Sequence, residues 1–439
     1  MAVRDADLIE IGRFVGSNNI ARETSLDVTL DRNDPNMTAT LRDTANVDLD
    51  SKGKVRTRGG YTLASSGDYH SLWRDDRLGF ALAVHDGNLV AIDDALFHTV
   101  LATDLPDIPV SYSLLPYGVV WSNGFQSGQV SIDLDTGPWA TPNPAGTPAL
   151  SLTLGALDTG IYQIAMTYVD SSGRESGASL AVEIEVTGEN QGILLSNIPQ
   201  PTDPSVAKAR IYATASGDAI LRHVSDIPIG LGSYAMIQQS LGKTLATQFL
   251  EPMPSGQIVR AFAGRSIVAN GRWLLFSEAL RYGLYNPPEN TIGFPETIDL
   301  VEPVADGSSG AGLFVASGGK TYFLSGSDPA SWSQKIAYPY GVISGTSVQS
   351  PASVWGIDSS ESIPAWLSKN GFFVLGLPSG SVKPIKDGEF AVDSADYGGA
   401  FFREADGLRQ VVAALRAPQK QALAFSDRME ATVVRHDAA

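Results

Sequence analysis

Six times along the chain, two short apolar segments meet at a tight turn that contains Asn-Gly, Asp-Gly or Gly-Gly. The turns are His85–Asn88, Ser122–Gly124, Ala269–Gly271, Ser317–Gly319, Lys369–Gly371 and Ala405–Gly407. These dipeptides adopt the positive φ angles that a tight β-hairpin requires. The neighbouring apolar segments therefore read as antiparallel strands: Phe80–Val84, Leu114–Trp121, Arg265–Ala269, Leu313–Ala316 and Gly371–Leu375. Repetition of this small unit predicts an all-β fold, a β-propeller of about six blades.

A further hairpin is predicted between residues 46 and 62, ahead of the first blade. The three-residue loop Ser51–Gly53 places glycine at the left-handed position of a bulged turn. That register sets Asp50 opposite Lys54 and Asp48 opposite Arg56, with Leu49 facing Val55 on the other side. Arg58 continues the basic face formed by Lys54 and Arg56. Because two of the three cations have carboxylate partners, we interpret Asp48, Asp50, Lys54, Arg56 and Arg58 as residues of hairpin stability or subunit assembly rather than phosphate binding.

Two proline-rich linkers, Gly137–Pro148 and Glu251–Gly256, divide the repeats into two groups. The residues between them form longer alternating segments at regular spacing, which is typical of a β-sandwich. We therefore predict an extended arm over 1–45, a first part of the propeller over 46–142, an inserted sandwich over 143–254, and the remaining propeller with a C-terminal tail over 255–439.

Composition restricts the function further. The 439 residues carry 48 acidic and 31 basic side chains, a net charge of −17, which argues against tight binding of nucleic acid. No cysteine is present, so disulfides and thiolate metal sites are excluded. No apolar run approaches the ~20 residues that span a bilayer, and the N-terminus lacks the apolar core of a signal peptide. We expect a soluble protein without a membrane anchor that starts in the cytoplasm of the cell that makes it.

No catalytic or cofactor motif passes its spacing test. Gly318–Thr321 resembles the end of a phosphate-binding loop, but Phe314 stands where that motif needs glycine. Asp48–Gly53 resembles the start of a calcium loop, but Lys52 brings a positive charge to a ligand position. The five histidines show no zinc-ligand spacing. We expect no enzyme, cofactor or metal, although a Ser-His-Asp set or a pair of catalytic carboxylates stays open at this point.

Four runs carry a resemblance to a known family. Asn46–Thr62 resembles a segment near the N-terminus of tail proteins of short-tailed bacteriophages. Thr247–Gln257, Ala263–Ser277 and Tyr282–Pro287 also look like phage structural proteins. The segment Tyr162–Tyr168, followed by the turn Asp170–Gly173, resembles a fibronectin type III or immunoglobulin-like domain.

The resemblance implies a tail nozzle, the distal ring of a short tail through which the genome is retained and then ejected. It implies a ring homo-oligomer, a hexamer in that family. The implied partners are tail adaptor or tube proteins and a tail fibre or needle. Genomic DNA would be in transit only, and the location would be the virion, assembled in the host cytoplasm. The alternatives are another virion component, such as a tail-tip or baseplate hub protein, and a carbohydrate-active or glycan-binding propeller.

Overall fold

The computed structural model describes residues 13–20, 38–41, 47–49, 54–57, 63–306, 310–385, 390–392, 395–405, 408–416 and 430–435. Within these ranges the regular elements are β-strands and two short 3-10 turns, Pro329–Ser331 and Ala352–Trp355, and there is no α-helix. The described part therefore has no helix that could cross a bilayer. The prediction of an all-β chain is confirmed.

Two short strand pairs precede the repeated sheets. β1 (Arg13–Ser17) and β2 (Thr38–Leu41) pair in parallel, where the sequence predicts only an irregular arm. β3 (Val47–Leu49) and β4 (Val55–Thr57) form an antiparallel hairpin. Its register places Asp48 opposite Arg56 and Leu49 opposite Val55, which confirms these two predicted pairs. Asp50 and Arg58 lie outside the described residues.

Two four-stranded antiparallel sheets follow, each with its strands in chain order. The first sheet contains β5 (Tyr69–Arg74), β6 (Phe80–His85), β7 (Asn88–Asp93) and β8 (His98–Ala102). The second sheet contains β9 (Ser111–Leu115), β10 (Gly118–Ser122), β11 (Ser127–Val130) and β12 (Thr136–Gly137). In both sheets the predicted glycine turn joins the second and third strands, which are the two central ones.

One predicted strand is divided in the structure. The run Leu114–Trp121 reads as continuous, yet it forms the end of β9 and the start of β10. Pro116 has no N–H to offer a neighbouring strand, and Gly118 takes φ +128°, so the chain reverses between them. A side chain at Gly118 would meet the Val130 carbonyl oxygen at 2.2 Å, so this close approach requires glycine.

The segment between the second and third sheets forms two further antiparallel sheets. The strands of this intervening segment (149–236) are β13 (Ala149–Leu154), β14 (Gly160–Asp170), β15 (Val182–Val186), β16 (Gln191–Ser196), β17 (Val206–Ala213), β18 (Arg222–Pro228) and β19 (Ser233–Met236). β13, β16 and β19 form one sheet, and β15, β14, β17 and β18 form the other. Alternate residues of β14, from Tyr162 to Tyr168, share one apolar core with Ile193 and Leu195 of the smaller sheet.

A short strand precedes the third sheet and pairs with another short strand, which lies in the loop between the last two strands of that sheet. β20 (Glu251–Pro252) pairs with β24 (Leu284–Tyr285). The sheet itself contains β21 (Ile258–Phe262), β22 (Arg265–Asn270), β23 (Trp273–Phe276) and β25 (Thr291–Gly293). The glycine turn Asn270-Gly271 again joins the two central strands.

Three more sheets complete the described chain. The fourth contains β26 (Ile298–Asp306), β27 (Gly310–Ser317), β28 (Lys320–Ser325) and β29 (Gln334–Tyr338). The fifth contains β30 (Val348–Pro351), β31 (Ser362–Leu367), β32 (Phe373–Gly376) and β33 (Val382–Pro384). The sixth contains β34 (Tyr397–Ala405), β35 (Leu408–Arg416) and β36 (Glu430–Arg435). β36 occupies part of the predicted C-terminal tail.

Two of the predicted glycine turns have two successive residues with positive φ, and in three others the glycine alone takes positive φ, at Gly124, Gly271 and Gly371. Asp86 and Gly87 take φ +49° and +75°, and Gly318 and Gly319 take +59° and +74°. Two successive positive φ angles define the type I′ turn, whose twist matches that of the flanking strands. The last turn, at residues 406 and 407, lies outside the described residues, although β34 and β35 pair on either side of it.

The chain divides into two compact units, residues 67–293 and residues 1–66 with 294–439. In the first unit, one apolar cluster joins the first sheet to the second through Leu82, Leu89, Val119 and Trp121. Another joins the second sheet to the third and includes the linker residues Trp139 and Met253. Successive sheets therefore cover one another's faces.

The second unit repeats this arrangement. A single large cluster connects Phe314 of the fourth sheet, Trp366 of the fifth and Val411 of the sixth. The Phe314 and Trp366 rings lie 5.5 Å apart between centroids. Each unit thus contains three sheets stacked in chain order.

Hydrogen bonds to two serines show that the first strands of the three sheets in the first unit all start at the same end. The Oγ of Ser71 in β5 accepts a hydrogen bond from the Val110 N–H (2.8 Å), just before β9. The Oγ of Ser111 in β9 accepts one from the Val259 N–H (3.0 Å) in β21. Because each contact joins the start of one first strand to the start of the next, the corresponding loops of all three sheets lie at the same end.

The intervening segment begins and ends at neighbouring points, which makes its removal testable. Asn143 Nδ2 donates to the Leu250 carbonyl oxygen at 2.9 Å, so the two linkers lie side by side. Replacing residues 144–250 with a short Gly-Ser linker should leave a soluble protein that unfolds cooperatively, because few contacts cross such a boundary. Loss of cooperative thermal unfolding would show that the segment and the sheets share a core.

A second deletion tests which linker residues belong to the sheets. Joining residue 143 to residue 255, the boundary that the sequence suggests, also removes Met253, which is buried between the second and third sheets. Loss of a buried methionine side chain costs about 2–5 kcal/mol. We expect this deletion to be clearly less stable to urea than the one that retains Met253, and equal stabilities would contradict that packing.

Candidate assembly surfaces and polar clusters

The predicted hairpin contacts the sixth sheet through Asp48. Asp48 Oδ1 accepts a hydrogen bond from Nε2 of Gln410 at 3.2 Å, and Gln410 is buried on β35. Lys54, Val55 and Arg56 are exposed on the opposite strand of the hairpin. The structure therefore brings Asp48 and Arg56 to facing positions and attaches their hairpin to the last sheet. The sequence did not indicate Gln410, because 362 residues separate it from Asp48.

The N-terminal segment contacts the C-terminal region at a second point. Asn19 Nδ2 donates to the Ala391 carbonyl oxygen at 2.6 Å, and the Ala391 N–H donates to Asn19 Oδ1 at 3.0 Å. These two hydrogen bonds run in opposite directions between the Asn19 side chain and the Ala391 backbone, so they fix the two residues against each other more firmly than a single contact would. Residues near the start of the chain are thus held against residues that precede the sixth sheet.

A serine, a histidine and an aspartate lie together at the start of the first sheet. His70 Nδ1 is 2.9 Å from Ser71 Oγ, and His70 Nε2 is 3.9 Å from Asp107 Oδ1. The Asp107 side chain is 94% exposed, and the distance is too long for the hydrogen bond that orients a catalytic base. Ser71 Oγ already accepts the Val110 N–H. This arrangement favours a structural role at the junction of two sheets.

The remaining described histidines of the first sheet form an aromatic cluster. The Tyr69 and His85 rings are stacked at 4.2 Å, and His98 meets both edge-on. The Tyr69 hydroxyl lies 3.1 Å from His98 Nε2. Among the described residues no group of three His, Cys, Asp or Glu side chains is placed to hold a metal ion. The three rings therefore pack against one another on the first sheet.

A carboxylate surrounded by cations lies on the larger sheet of the intervening segment. Asp226 on β18 accepts hydrogen bonds from Lys208 Nζ at 2.6 Å and Arg210 Nε at 2.7 Å, both on β17. His223 Nε2 lies 3.0 Å from the same carboxylate. The hydrogen bond from Arg210 is the main cause that holds the pKa of Asp226 well below its usual range.

The same network reaches a second acid. Arg210 Nη1 donates to Glu175 Oε2 at 3.2 Å, and the Tyr212 hydroxyl donates to Glu175 Oε1 at 2.5 Å. Thr167 donates to this oxygen as well, at 2.7 Å. Burial, with a smaller contribution from the Glu175 charge, raises the pKa of Tyr212. The outer face of this sheet is therefore cross-linked over three strands.

An ion pair inside the intervening segment also contacts the second sheet. Asp170, at the end of β14, accepts a hydrogen bond from Arg174 Nε at 2.7 Å. Arg174 Nη1 also donates to Gln129 Oε1 of β11 at 2.8 Å and to the Trp139 carbonyl oxygen at 3.2 Å. Since the guanidinium has a fixed planar geometry, these bonds orient the segment as well as hold it.

The described residues include one other deeply buried carboxylate. Glu302 on β26 is 3% exposed, and it accepts hydrogen bonds from Ser347 Oγ at 2.8 Å and Gln349 Nε2 at 3.0 Å. Nearby in sequence, burial raises the pKa of Asp299, which lies 3.9 Å from Lys369 Nζ. The donors around Glu302 come from the segment leading into β30 and from β30 itself, so this acid connects the fourth and fifth sheets.

Charge is distributed unevenly among the sheets of the first unit. Residues 67–137, which contain the first and second sheets, carry ten aspartates and two arginines, a net charge of −8. Residues 257–293, which contain the third sheet, carry four arginines and two glutamates, a net charge of +2. Nearly half of the chain's net charge therefore lies on two sheets, and the adjacent sheet has the opposite sign.

The comparisons with known proteins do not assign a family. No protein-family model matches the chain, and no curated protein matches it. A solved structure with weak similarity is the WD40 domain of SCAP from fission yeast, at 7% identity and a TM-score of 0.28. The match covers 84% of this chain and 73% of that one. Similarity at this level carries no argument about fold or function.

The Asp226 network predicts a pH-dependent effect of Asp226→Asn. Because folding lowers this pKa, the carboxylate stabilises the protein above its unfolded value, near pH 4, and the contribution is lost as pH falls through the folded value. We expect the variant to lose about 1 kcal/mol at pH 7, since the site is partly solvent-screened. The loss should shrink below about pH 4.

Urea unfolding followed by circular dichroism at pH 7 and pH 3 measures this effect. Glu185→Gln, at an exposed carboxylate on the same sheet, is the matched control and should change little at either pH. A deficit of Asp226→Asn that stays constant with pH would contradict the assignment.

Because Asp48 and Arg56 face each other, exchanging their charges should restore the stability that either single change removes. Either Asp48→Arg or Arg56→Asp should destabilise the protein by less than about 1 kcal/mol, as exposed cross-strand pairs do. The double swap should recover the loss, because Gln410 can offer its amide oxygen to an arginine at position 48. Thermal unfolding of the three variants tests the pair, and a double variant no better than the singles would show that the two side chains do not interact.

Proposed function

We propose that the chain is a structural protein of a bacteriophage tail, forming part of the distal nozzle ring that retains the genome and then lets it pass. One observation carries this proposal. The runs Thr247–Gln257 and Tyr282–Pro287, which resemble phage structural proteins, are distant in sequence but pair directly as β20 and β24. The Met253 N–H adds a hydrogen bond to the Gly283 carbonyl oxygen at 2.8 Å. The third such run, Ala263–Ser277, supplies the central strands of the adjoining sheet.

The proposal includes a more specific fold. The six sheets, three of them stacked in each unit, are the blades of one β-propeller, and the intervening segment is a fibronectin type III or immunoglobulin-like sandwich inserted after the second blade. Support comes from the strand order within the sheets and from the three-sheet stack in each unit. The single core shared by the two sheets of the intervening segment supports the sandwich.

A conduit for DNA should not bind its cargo tightly. Phosphate contacts are made mainly by lysine and arginine, and each contact that is formed must break before the strand moves on. A chain with a net charge of −17, and −8 on its first two sheets, offers repulsion that keeps water and counter-ions between protein and DNA. DNA accordingly passes through without being tightly bound, and the binding partners are further copies of the chain and neighbouring tail proteins.

The test is deletion of the gene in the phage, with complementation in trans. Particles that lack the protein should fill with DNA but leak it or fail to eject it, so plaques should disappear and return with the wild-type gene. A frameshifted copy of the gene is the matched control. Normal plaques without the protein would contradict the proposal, and so would a glycan-cleaving activity of the purified protein that one carboxylate substitution abolishes.

A further inference from the structure

Three loops of the first unit share an unusual backbone feature. They connect the third and fourth strands of the first, second and third sheets and comprise residues 93–97, 131–135 and 278–281, here called the loop row. Each contains a leucine in the left-handed region: Leu96 at φ +65°, Leu134 at +67° and Leu280 at +59°. Glycine, asparagine and aspartate occupy this region readily, whereas leucine is strained there.

The first two loops are held by the same hydrogen bonds. Asp93 Oδ1 accepts from the Ala95 and Phe97 N–H groups, both at 2.9 Å. Ser131 Oγ accepts from Asp133 and Asp135 in the same way, at 3.2 and 3.1 Å. A side-chain acceptor at the first position therefore holds the strained leucine in place in both loops. Strain retained on repeated surface loops is a reason to look for a function.

The loop row exposes large apolar side chains at one end of the stacked sheets. Phe97 is 74% exposed, Ile132 69% and Leu280 71%. Tyr117 and Tyr282 meet with ring centroids 6.4 Å apart, which joins the second and third sheets at this end. The apolar groups thus line one edge of a single unit instead of being scattered over it.

Acidic side chains flank the apolar groups of the first two loops. Asp94, Asp133 and Asp135 are exposed in the first two loops, and Asp94 lies 3.5 Å from Arg74 of β5. An apolar surface with this rim favours an occupant that combines an aromatic or aliphatic group with positive charge.

This chain presents such an element at the opposite end of its third sheet. Arg272 and Trp273 form the tip of the β22–β23 hairpin, with the guanidinium carbon 5.2 Å from the indole ring centroid. Trp273 is 46% exposed, although tryptophan is usually more deeply buried. Tryptophan and arginine are the residue types that most often dominate protein interfaces. The third sheet also carries net positive charge, complementary to the first two.

We propose that the Arg272–Trp273 tip of one copy docks onto the loop row of the next copy. Because the two surfaces are different and lie at opposite ends of the sheets, the contact is heterologous, and its repetition forms a ring when the rotation from one copy to the next closes. The tryptophan packs among Phe97 and Ile132, and Arg272 faces the exposed aspartates. This contact rests on the proposed ring and specifies the surfaces that form it.

Mass photometry and sedimentation of the purified full-length protein over a range of concentrations test the contact. Trp273→Ala and Asp133→Arg should each raise the concentration needed for assembly about tenfold or more. Combining Asp133→Arg with Arg272→Asp should recover most of the loss. Glu189→Arg, an exposed charge change in the intervening segment, is the matched control and should assemble as wild type.

The outcomes separate the contact from the ring. Variants that assemble at wild-type concentrations, while the wild type forms rings, would overturn this contact and leave the nozzle proposal standing. A wild-type chain that stays monomeric in solution and occurs singly in the tail would overturn both.

The strained leucines provide a second test, in which thermal stability should rise while assembly weakens. Leu96→Asn with Leu280→Asn relieves the strain, so the midpoint of thermal unfolding should rise by about 2 °C or more. The same variant should assemble less well, because it removes apolar groups from the docking surface. Leu154→Asn, at an exposed leucine of β13, should leave assembly unchanged. A stabilised variant with undiminished assembly would contradict a role for the loop row.

Discussion

The fold depends on covering the middle sheet of each unit on both faces. The middle sheets have central strands that are apolar on both sides, so either one alone would leave a large apolar surface in water. Every residue of β10 and of β32 is buried, which alternating strands with one wet face would not show. Such strands require a neighbour above and below, and the adjacent sheets in each unit meet that need. The turns and outer loops are not constrained by this packing, and they carry the exposed apolar and charged side chains.

The intervening segment follows a different rule, because its two sheets bury their apolar faces against each other. It has little need of the stacked sheets for its own core, yet it is held to them by Arg174, whose guanidinium pairs with Asp170 inside the segment and donates to Gln129 and Trp139 outside it. The Arg174 contacts to Gln129 and Trp139 therefore set the direction in which this segment projects from the second sheet. A segment held in this way presents a surface with a defined orientation.

The sequence predicted what depends on local chemistry. Asn-Gly, Asp-Gly and Gly-Gly specify their turns through their own backbone preferences, so the central hairpins and the Asp48–Arg56 register were found. The reversal at Pro116 was missed because apolar residues continue on both sides of it. β36 was missed because its pairing partner β35, not its composition, makes it a strand.

The polar clusters could not have been predicted from the sequence. Arg210, Asp226 and Glu175 lie on separate strands, and only the β17–β18 register brings the first two face to face. Ser71, His70 and Asp107 meet because the first and second sheets stack. A faint signal for the loop row existed, since Asp93–Phe97 and Ser131–Asp135 both place leucine three residues after a side-chain acceptor. Two copies were too few to stand out before the backbone angles were known.

An electron cryomicroscopy map of the purified protein tests most directly whether the six sheets form one propeller. We expect six blades around a common axis, with a small two-sheet lobe attached beside the second blade. Two separate bodies of three sheets each, or an open stack without an axis, would contradict it.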